Sequence, residues 1–331
     1  MQKPKGLFVC DAWRVIYDDE TIAKIKDKVD IYDKPYSAAE IRANMAALRD
    51  CEVIFSGWGV PVMDAAFIAA APNLKFIFYG AGSVKCFVTD AMWDAGVRVC
   101  SAWGANALPV AEYTLAHILL ALGGGLSSSR NFTGSKGQKR FTVTPAGGFH
   151  STVGIVSAGM IGRRVIELLK NFDVRVIAYD PFLTEGDAAA LGVQKVSLAE
   201  VFAEADVVSL HTPNLEETKK MITGELIASM KPGATLINSA RGAVIDEAAM
   251  IEVLKSRPDL QAVLDVTEPE PPLPGSPLWT LENVFLTPHI AGSIGPECAR
   301  HGVYMYEELC RWLAGEPMKW ELTREKVKNM A

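Results

Sequence analysis

The sequence has no long apolar run free of charge, no pair of cysteines at C-x-x-C spacing, and only five histidines. Its longest apolar stretch, Leu108 to Leu122, contains Glu112 and His117 and falls short of the roughly 20 residues a membrane-spanning helix needs, so no membrane partner is expected. The six cysteines, Cys10, Cys51, Cys86, Cys100, Cys298 and Cys310, are scattered, with no histidine at zinc-ligand spacing near any two of them. No metal is therefore expected, and the pattern is that of reduced, mostly buried thiols in a cytoplasmic protein. The early apolar run Gly6 to Cys10 is followed at once by Asp11, too soon for a signal peptide. An excess of basic charge is missing too: 33 Lys and Arg against 39 Asp and Glu give a net charge of -6. Without a basic stripe or a charged tail, nucleic acid is not an expected partner, and a small molecule is.

What is present is the composition of an ordinary folded protein, 331 residues with 49% hydrophobic, enough for two globular units. Short β-branched runs alternate with amphipathic stretches nearly end to end, the pattern of parallel strands joined by helical crossovers. The candidate strands are Leu7 to Cys10, Val53 to Phe55, Lys75 to Tyr79, Val97 to Ser101, Val153 to Val156, Val174 to Tyr179, Val207 to Leu210, Thr235 to Asn238, Ala262 to Asp265 and Val284 to Thr287. The fold class expected is α/β, with two doubly wound parallel sheets. Asn106 to Leu122 reads as a helix with Pro109 near its start and apolar side chains on nearly every face, hence buried on all sides. Gly123 to Phe149, rich in Gly, Ser and Lys and without periodicity, reads as an interruption or linker. A last helix from about Pro296 to Leu313, stopped by Gly315 and Pro317, must bury its apolar face and is expected to pack on the N-terminal unit. The expected domains are thus a discontinuous one of residues 1–103 and 293–331, and one of residues 104–292 inserted into it.

After Val153 to Val156 come Ser157-Ala158-Gly159-Met160-Ile161-Gly162 and then a helix pattern in which Val165, Leu168, Leu169 and Phe172 share a face. Strand, glycine turn and helix form the context of a dinucleotide fingerprint, in which the helix N-terminus offers free N–H groups to phosphates. The first glycine is replaced by Ser157. A tight turn in any α/β protein looks similar, but the next strand ends in Asp180, about twenty residues further on, where a carboxylate accepts hydrogen bonds from ribose hydroxyls. The same carboxylate repels a 2′-phosphate, so NAD is expected over NADP.

Three later segments each place an ionisable residue just after a candidate strand: Asn238 to Gly242 with Arg241, Asp265 to Pro271 with Glu268 and Glu270, and Thr287 to Ser293 with His289. Together with His211-Thr212-Pro213, Thr218, Met230 to Ala234 and Val110-Ala111-Glu112, they make the sequence resemble the D-isomer-specific 2-hydroxyacid dehydrogenase family from about Tyr79 to Ser293. That family includes phosphoglycerate dehydrogenases and glyoxylate/hydroxypyruvate reductases.

The resemblance implies a Rossmann NAD-binding domain inserted into a discontinuous, flavodoxin-like substrate domain, with the substrate held in the cleft. It implies that Arg241 grips the substrate carboxylate and polarises the 2-oxo group, that His289 is the acid/base, and that Glu270 orients the imidazole, with Glu268 as its rival. It further implies a cofactor site of Ser157, Ala158, Gly159, Met160, Ile161, Asp180, His211, Thr212, Pro213, Thr218, Ser239, Ala240, Arg241, Asp265, His289, Ala291 and Gly292. Substrate contacts are implied for Ala81, Gly82 and Ser83, from the loop after Tyr79, as well as for Arg241 and His289. In that loop Ser83-Val84-Lys85-Cys86 replaces the family's usual Val-Asp-Asn run, which leaves glyoxylate, hydroxypyruvate and aliphatic analogues open as substrates. Trp58 and Trp103 near strand ends read as pocket or as packing, and Asn106 as a cofactor neighbour or a helix cap.

Family resemblance also implies a homodimer, with Asn106 to Leu122 as a contact, and the chain is expected to lack the appended regulatory domain of many phosphoglycerate dehydrogenases. The rival function is an NAD-responsive binding scaffold of the corepressor type, which shares this fold.

Overall fold

The computed structural model describes residues 2–134, 136–137 and 144–328. They form two compact units, one of the residues up to Asn106 together with those from Ser293 onward, the other Ala107–Gly292.

The first unit is built on β1 (Lys5–Phe8), β2 (Asp30–Ile31), β3 (Val53–Ser56), β4 (Phe76–Tyr79) and β5 (Arg98–Ser101), parallel and in the order β5-β4-β3-β1-β2, with Glu321–Leu322 antiparallel at the β5 edge. β3 and β4 are buried along their whole length, which is why they read as unbroken apolar runs. Successive side chains point to opposite faces. Leu7, Ile54, Ile77 and Val99 pack with Leu48, Phe67 and Phe87 on one face. Phe8, Phe55, Phe78 and Cys100 pack with Tyr17, Met305 and Leu309 on the other.

The second unit carries β6 (Thr152–Val156), β7 (Arg175–Tyr179), β8 (Gln194–Lys195), β9 (Val207–Leu210), β10 (Thr235–Asn238), β11 (Gln261–Leu264) and β12 (Val284–Leu286) in the order β12-β11-β10-β9-β6-β7-β8. All its ladders are parallel. The chain turns back on itself at β6, which pairs with β7 on one side and β9 on the other, and ligands of such sheets collect beyond the strand C-termini at this switch point. The two doubly wound parallel sheets expected from the sequence are present. The strands Asp30–Ile31, Gln194–Lys195 and Glu321–Leu322 were not expected, because two residues are too few to carry an alternating pattern.

Several helices differ from expectation. The long apolar helix starts at Trp103 and runs 20 residues to Leu122, with Pro109 inside it. It is thus long and apolar enough to cross a membrane by length and composition, contrary to the shorter run read from the sequence, and half of it is buried within the protein. Nor is it buried on all sides: Glu112, Ala116 and Leu120 form an exposed stripe at i, i+4, i+8 spacing, with Leu120 46% exposed. Asn106 lies inside this helix and is no cap; its Oδ1 accepts from Ser293 N at 2.9 Å. Gly125–Gly134 is helical where only an interruption was expected, because helix formation there does not need an apolar period; residues 135 and 138–143 of that stretch lie outside those described. The helix expected near the end of the chain, Ala299–Ala314, follows a 3-10 turn at Gly295–Cys298 and ends at Gly315, whose φ of 70° is left-handed, and a short helix that was not expected, Arg324–Lys328, comes after it.

Glu308 of this helix is fully buried, accepting from Arg311 Nη1 at 2.6 Å, Trp320 N at 3.0 Å and Lys319 N at 3.3 Å. The carboxylate thereby clasps the chain that leads to the edge strand Glu321–Leu322. Removing one partner of a buried ionic group strands the other groups without acceptors. Glu308→Ala is expected to lower unfolding stability by about 3 kcal/mol, read as a lower urea midpoint at constant slope, and Glu308→Gln by about half of that. A loss under about 0.5 kcal/mol for Glu308→Ala would mean that the carboxylate clasps nothing.

Candidate active site

At the end of β6 the chain makes a tight turn into the helix Met160–Leu169. Ser157 takes the place of a glycine and adopts a glycine-like conformation, φ 74°, which an L-residue holds only when its surroundings over-determine it. Two contacts do so: Ser157 N donates to Tyr179 O at 2.7 Å, and its hydroxyl meets Thr212 Oγ1 at 3.0 Å. A Cβ on Gly162 would lie 2.2 Å from Ser157 O, so helix and turn pack at a distance only glycine permits. A Cβ on Gly159 would meet nothing within 4 Å, and no side chain caps this helix start. The N–H groups of the first helical turn have no intrahelical acceptor, so this open glycine surface fits a pyrophosphate. Asp180, just past β7, accepts from Ala158 N at 2.8 Å and from Phe182 N at 2.7 Å, one bond per oxygen. A carboxylate has lone pairs for more, which leaves acceptor capacity for ribose hydroxyls.

Beyond β9, His211 N donates to Val156 O at 2.9 Å and its Nε2 meets Ser209 Oγ at 3.1 Å. Its Nδ1 is buried without a partner among the described residues, and burial pushes the imidazole pKa down to about 4. Thr218 turns inward: its hydroxyl bonds Pro213 O at 2.6 Å and accepts from Leu215 N at 2.8 Å, bracing the loop.

β10, β11 and β12 deliver the ionisable groups. Buried Asn238 folds the next loop, accepting from Ala240 N at 3.0 Å and donating to Arg241 O at 2.9 Å, while Ser239 meets Thr114 at 3.0 Å. A Cβ on Gly242 would fall 2.1 Å from the Thr267 backbone, so glycine is what lets these two loops touch. The Arg241 guanidinium donates one bond to Ala240 O at 2.6 Å, and its other N–H groups donate to nothing among the described residues. Burial holds its pKa below the ordinary value, and the neighbouring Glu270 charge opposes that shift. An arginine nonetheless stays protonated.

Asp265 is buried at the end of β11 and holds the loop after β12 from beneath. Its Oδ1 accepts from Thr287 Oγ1 at 2.6 Å and Ile290 N at 2.8 Å, its Oδ2 from Ala291 N at 2.8 Å, and its backbone carbonyl from His289 N at 3.0 Å. With the Thr287 proton directed at Asp265, Tyr113 donates to Thr287 Oγ1 at 2.6 Å. His289 has a left-handed backbone, φ 54°, which places its ring against Glu270, with Nδ1 to Oε1 at 2.6 Å. An ionised carboxylate only accepts, so Nδ1 carries the hydrogen and Nε2 is free of partners among the described residues. The side chains are 48% and 42% exposed, as groups that must meet a ligand should be. Glu268 does not share in this: its backbone N–H bonds Glu247 at 2.9 Å, and its charge, after burial, helps raise the Glu247 pKa.

In the other unit, the loop after β4 runs from fully buried Ala81 to half-buried Gly82 and Ser83. The N–H groups of Ala81, Gly82 and Ser83 have no acceptor among the described residues, while their carbonyl side is held by Ser101 and His301. Of the replaced residues there, Val84 is in the core and Lys85 and Cys86 are exposed. Trp103 packs edge-on against Trp320 with ring centroids 5.4 Å apart, whereas Trp58 stays 36% exposed. Among the described residues, no three His, Cys, Asp or Glu side chains gather to hold a metal. Sequence reasoning placed Asn238 and Thr287 in the site segments without a role and missed Tyr113, Ser101 and His301; the available signal was a polar residue at a strand end or on an apolar helix, where burial demands a partner.

The profile of the family described as "D-isomer specific 2-hydroxyacid dehydrogenase, NAD binding domain" matches residues 117–291. A D-3-phosphoglycerate dehydrogenase of Archaeoglobus fulgidus is 34% identical over 78% of this chain and 49% of its own length. A glyoxylate reductase of Korarchaeum cryptofilum is 33% identical over 85% of both chains. The chain spans about half the length of the phosphoglycerate dehydrogenases it matches. Among solved structures, D-mandelate dehydrogenase of Rhodotorula graminis shares the fold with a TM-score of 0.81, covering 98% of this chain and 99% of its own, at 24% identity. The chain belongs to the D-isomer-specific 2-hydroxyacid dehydrogenase family, and Ala107–Gly292 contains its NAD-binding domain.

Proposed function

We propose that the protein is an oxidoreductase that interconverts a small D-2-hydroxy acid and its 2-oxo acid with NAD. The observation that carries this reading is the 2.6 Å pair of His289 Nδ1 and Glu270 Oε1, with the Arg241 guanidinium within reach of the same carboxylate's charge. These groups stand at the C-terminal edge of the sheet that carries the fingerprint turn.

In this reading Gly159 and the start of helix Met160–Leu169 receive the pyrophosphate, and Asp180 the adenosine ribose. Ser157, Ala158, Met160, Ile161, His211, Thr212, Pro213, Ser239, Ala240, Asp265, Ala291 and Gly292 line the rest of the cofactor site, and Thr218 serves it through the fold of its loop. When bound, the nicotinamide supplies the hydride for reduction and takes it up in oxidation. Arg241 grips the carboxylate with the planar N–H groups it has free and draws electron density toward the 2-oxo oxygen. His289 Nε2 gives its proton to that oxygen as hydride reaches the carbon, and takes it back in the reverse direction. Glu270 keeps the ring's tautomer and stabilises the imidazolium. The nest at Ala81, Gly82 and Ser83 is a carboxylate-binding element of the first unit. Residues 1–103 with 293–331 serve as the substrate domain, and 104–292 as the cofactor domain.

A homodimer and a cytoplasmic location complete the proposal. The exposed stripe of Glu112, Ala116 and Leu120 supports the first, and six unpaired thiols support the second.

NADH oxidation against a panel of 2-oxo acids, followed by chiral analysis, is expected to yield the D-hydroxy acid; no turnover on any member would end this reading. His289→Ala is expected to cut kcat by about a hundredfold or more while NADH binding persists, and near-normal turnover would take His289 out of the chemistry. Comparing kcat/KM for the two cofactors, NADH is expected to lead NADPH by roughly tenfold or more; the opposite order would remove the role of Asp180.

A further inference from the structure

The amides of Ala81, Gly82 and Ser83, without acceptors among the described residues, face one way for a reason that lies behind them. In a planar trans peptide the C=O of one residue and the N–H of the next point in opposite directions. Three successive carbonyls are tied down: Gly80 O by His301 Nδ1 at 3.0 Å, and Ala81 O and Gly82 O by the one Ser101 hydroxyl proton shared between them, with Oγ 2.7 Å from Ala81 O. The amides of Ala81, Gly82 and Ser83 are thereby turned to the other side as a set. Both anchoring side chains are fully buried, Ser101 at the end of β5 and His301 in the helix Ala299–Ala314.

The His301 ring is fixed on every side. A carbonyl only accepts, so Nδ1 carries the hydrogen; Nε2 of the neutral ring then accepts from Ser293 Oγ at 2.8 Å. Burial keeps the imidazole pKa below its ordinary value and so preserves this neutral form. Ser293 is itself anchored to Asn106 at 2.9 Å, and the Trp58 ring lies over the imidazole with centroids 5.3 Å apart. The helix packs closely on the backbone at Ile16, since a Cβ on the adjacent Gly302 would lie 2.4 Å from Ile16 O.

We propose that His301 and Ser101 are positioning residues for the substrate carboxylate: they touch no reacting atom, and they hold the Ala81–Ser83 amides pre-turned toward the anion. This rests on the reading of that nest as a carboxylate site. Preorganised donors bind an anion without first being ordered, so the effect falls on binding and not on the hydride step.

The test uses the full chain with NADH and three variants, His301→Leu, His301→Asn and Ser101→Ala, each checked for folding by circular dichroism. Three quantities are read: KM and kcat for the preferred 2-oxo acid, the Kd of oxamate for the enzyme–NADH complex by fluorescence, and the Kd of NADH itself. His301→Leu and Ser101→Ala are expected to raise KM and the oxamate Kd by roughly tenfold, with kcat within about threefold and the NADH Kd unmoved. His301→Asn, whose amide N–H can stand near the Nδ1 position, is expected to recover most of the loss. An unchanged oxamate Kd in folded Ser101→Ala, a fall in kcat at constant KM, or an Asn variant as poor as the Leu variant each overturns the proposal. A wild type that reduces no 2-oxo acid but binds oxamate in a His301-dependent way upholds the positioning role and removes the dehydrogenase reading. Turnover with an oxamate Kd indifferent to both residues does the reverse.

Discussion

The carboxylate of Asp265 is buried beneath the loop that carries His289, and each of its oxygens is bonded to that loop. A buried carboxylate is tolerated only when hydrogen-bonded, and here the donors that satisfy it are the Thr287 hydroxyl and the amides of Ile290 and Ala291. The same bonds hold His289 in a left-handed conformation that costs about 1 kcal/mol or more for a residue with a Cβ. Strain and buried charge support one another: without the carboxylate the loop would relax, and without the loop the carboxylate would have no partners. Tyr113 extends this network to the long apolar helix through Thr287.

The imidazole stands next to a graded set of charges. Arg241 is the more deeply buried, so its attraction to Glu270 is less screened by water than that of a surface pair. Glu270 and His289 are about half exposed, and their 2.6 Å contact serves to orient the ring more than to stabilise the fold. Parallel strands make the arrangement possible, since β10, β11 and β12 all end at one edge and bring residues distant in sequence to neighbouring positions.

The first unit solves a similar problem without charge. There, tied carbonyls turn a run of amides to the opposite side, and the ties come from a hydroxyl at the end of the adjacent strand β5 and a neutral imidazole on the helix Ala299–Ala314. In both units a backbone segment is held in one orientation by a buried polar group that is itself hydrogen-bonded. Glu308 applies the same device to the C-terminal chain.

Strand identities, the glycine turn, and the residue types at the ends of β7, β10, β11 and β12 were legible from the sequence, because apolar periodicity and turn chemistry are local properties of the chain. Arg241, Glu270 and His289 were legible because each sits immediately after such a strand. Periodicity could not separate Glu270 from Glu268, both in one proline-rich loop; family resemblance favoured Glu270, and the contact itself depends on where β12 brings His289. Only tertiary structure decided that Ser157 adopts a glycine's conformation, held by Thr212, and that Thr218 turns into its own loop. His301 and Ser101 are 200 residues apart in the chain and carry no local signature. They come together only where the sheet and the helix Ala299–Ala314 bring them to the same three carbonyls, because a hydrogen-bond partner is chosen by proximity in space, which no periodicity encodes.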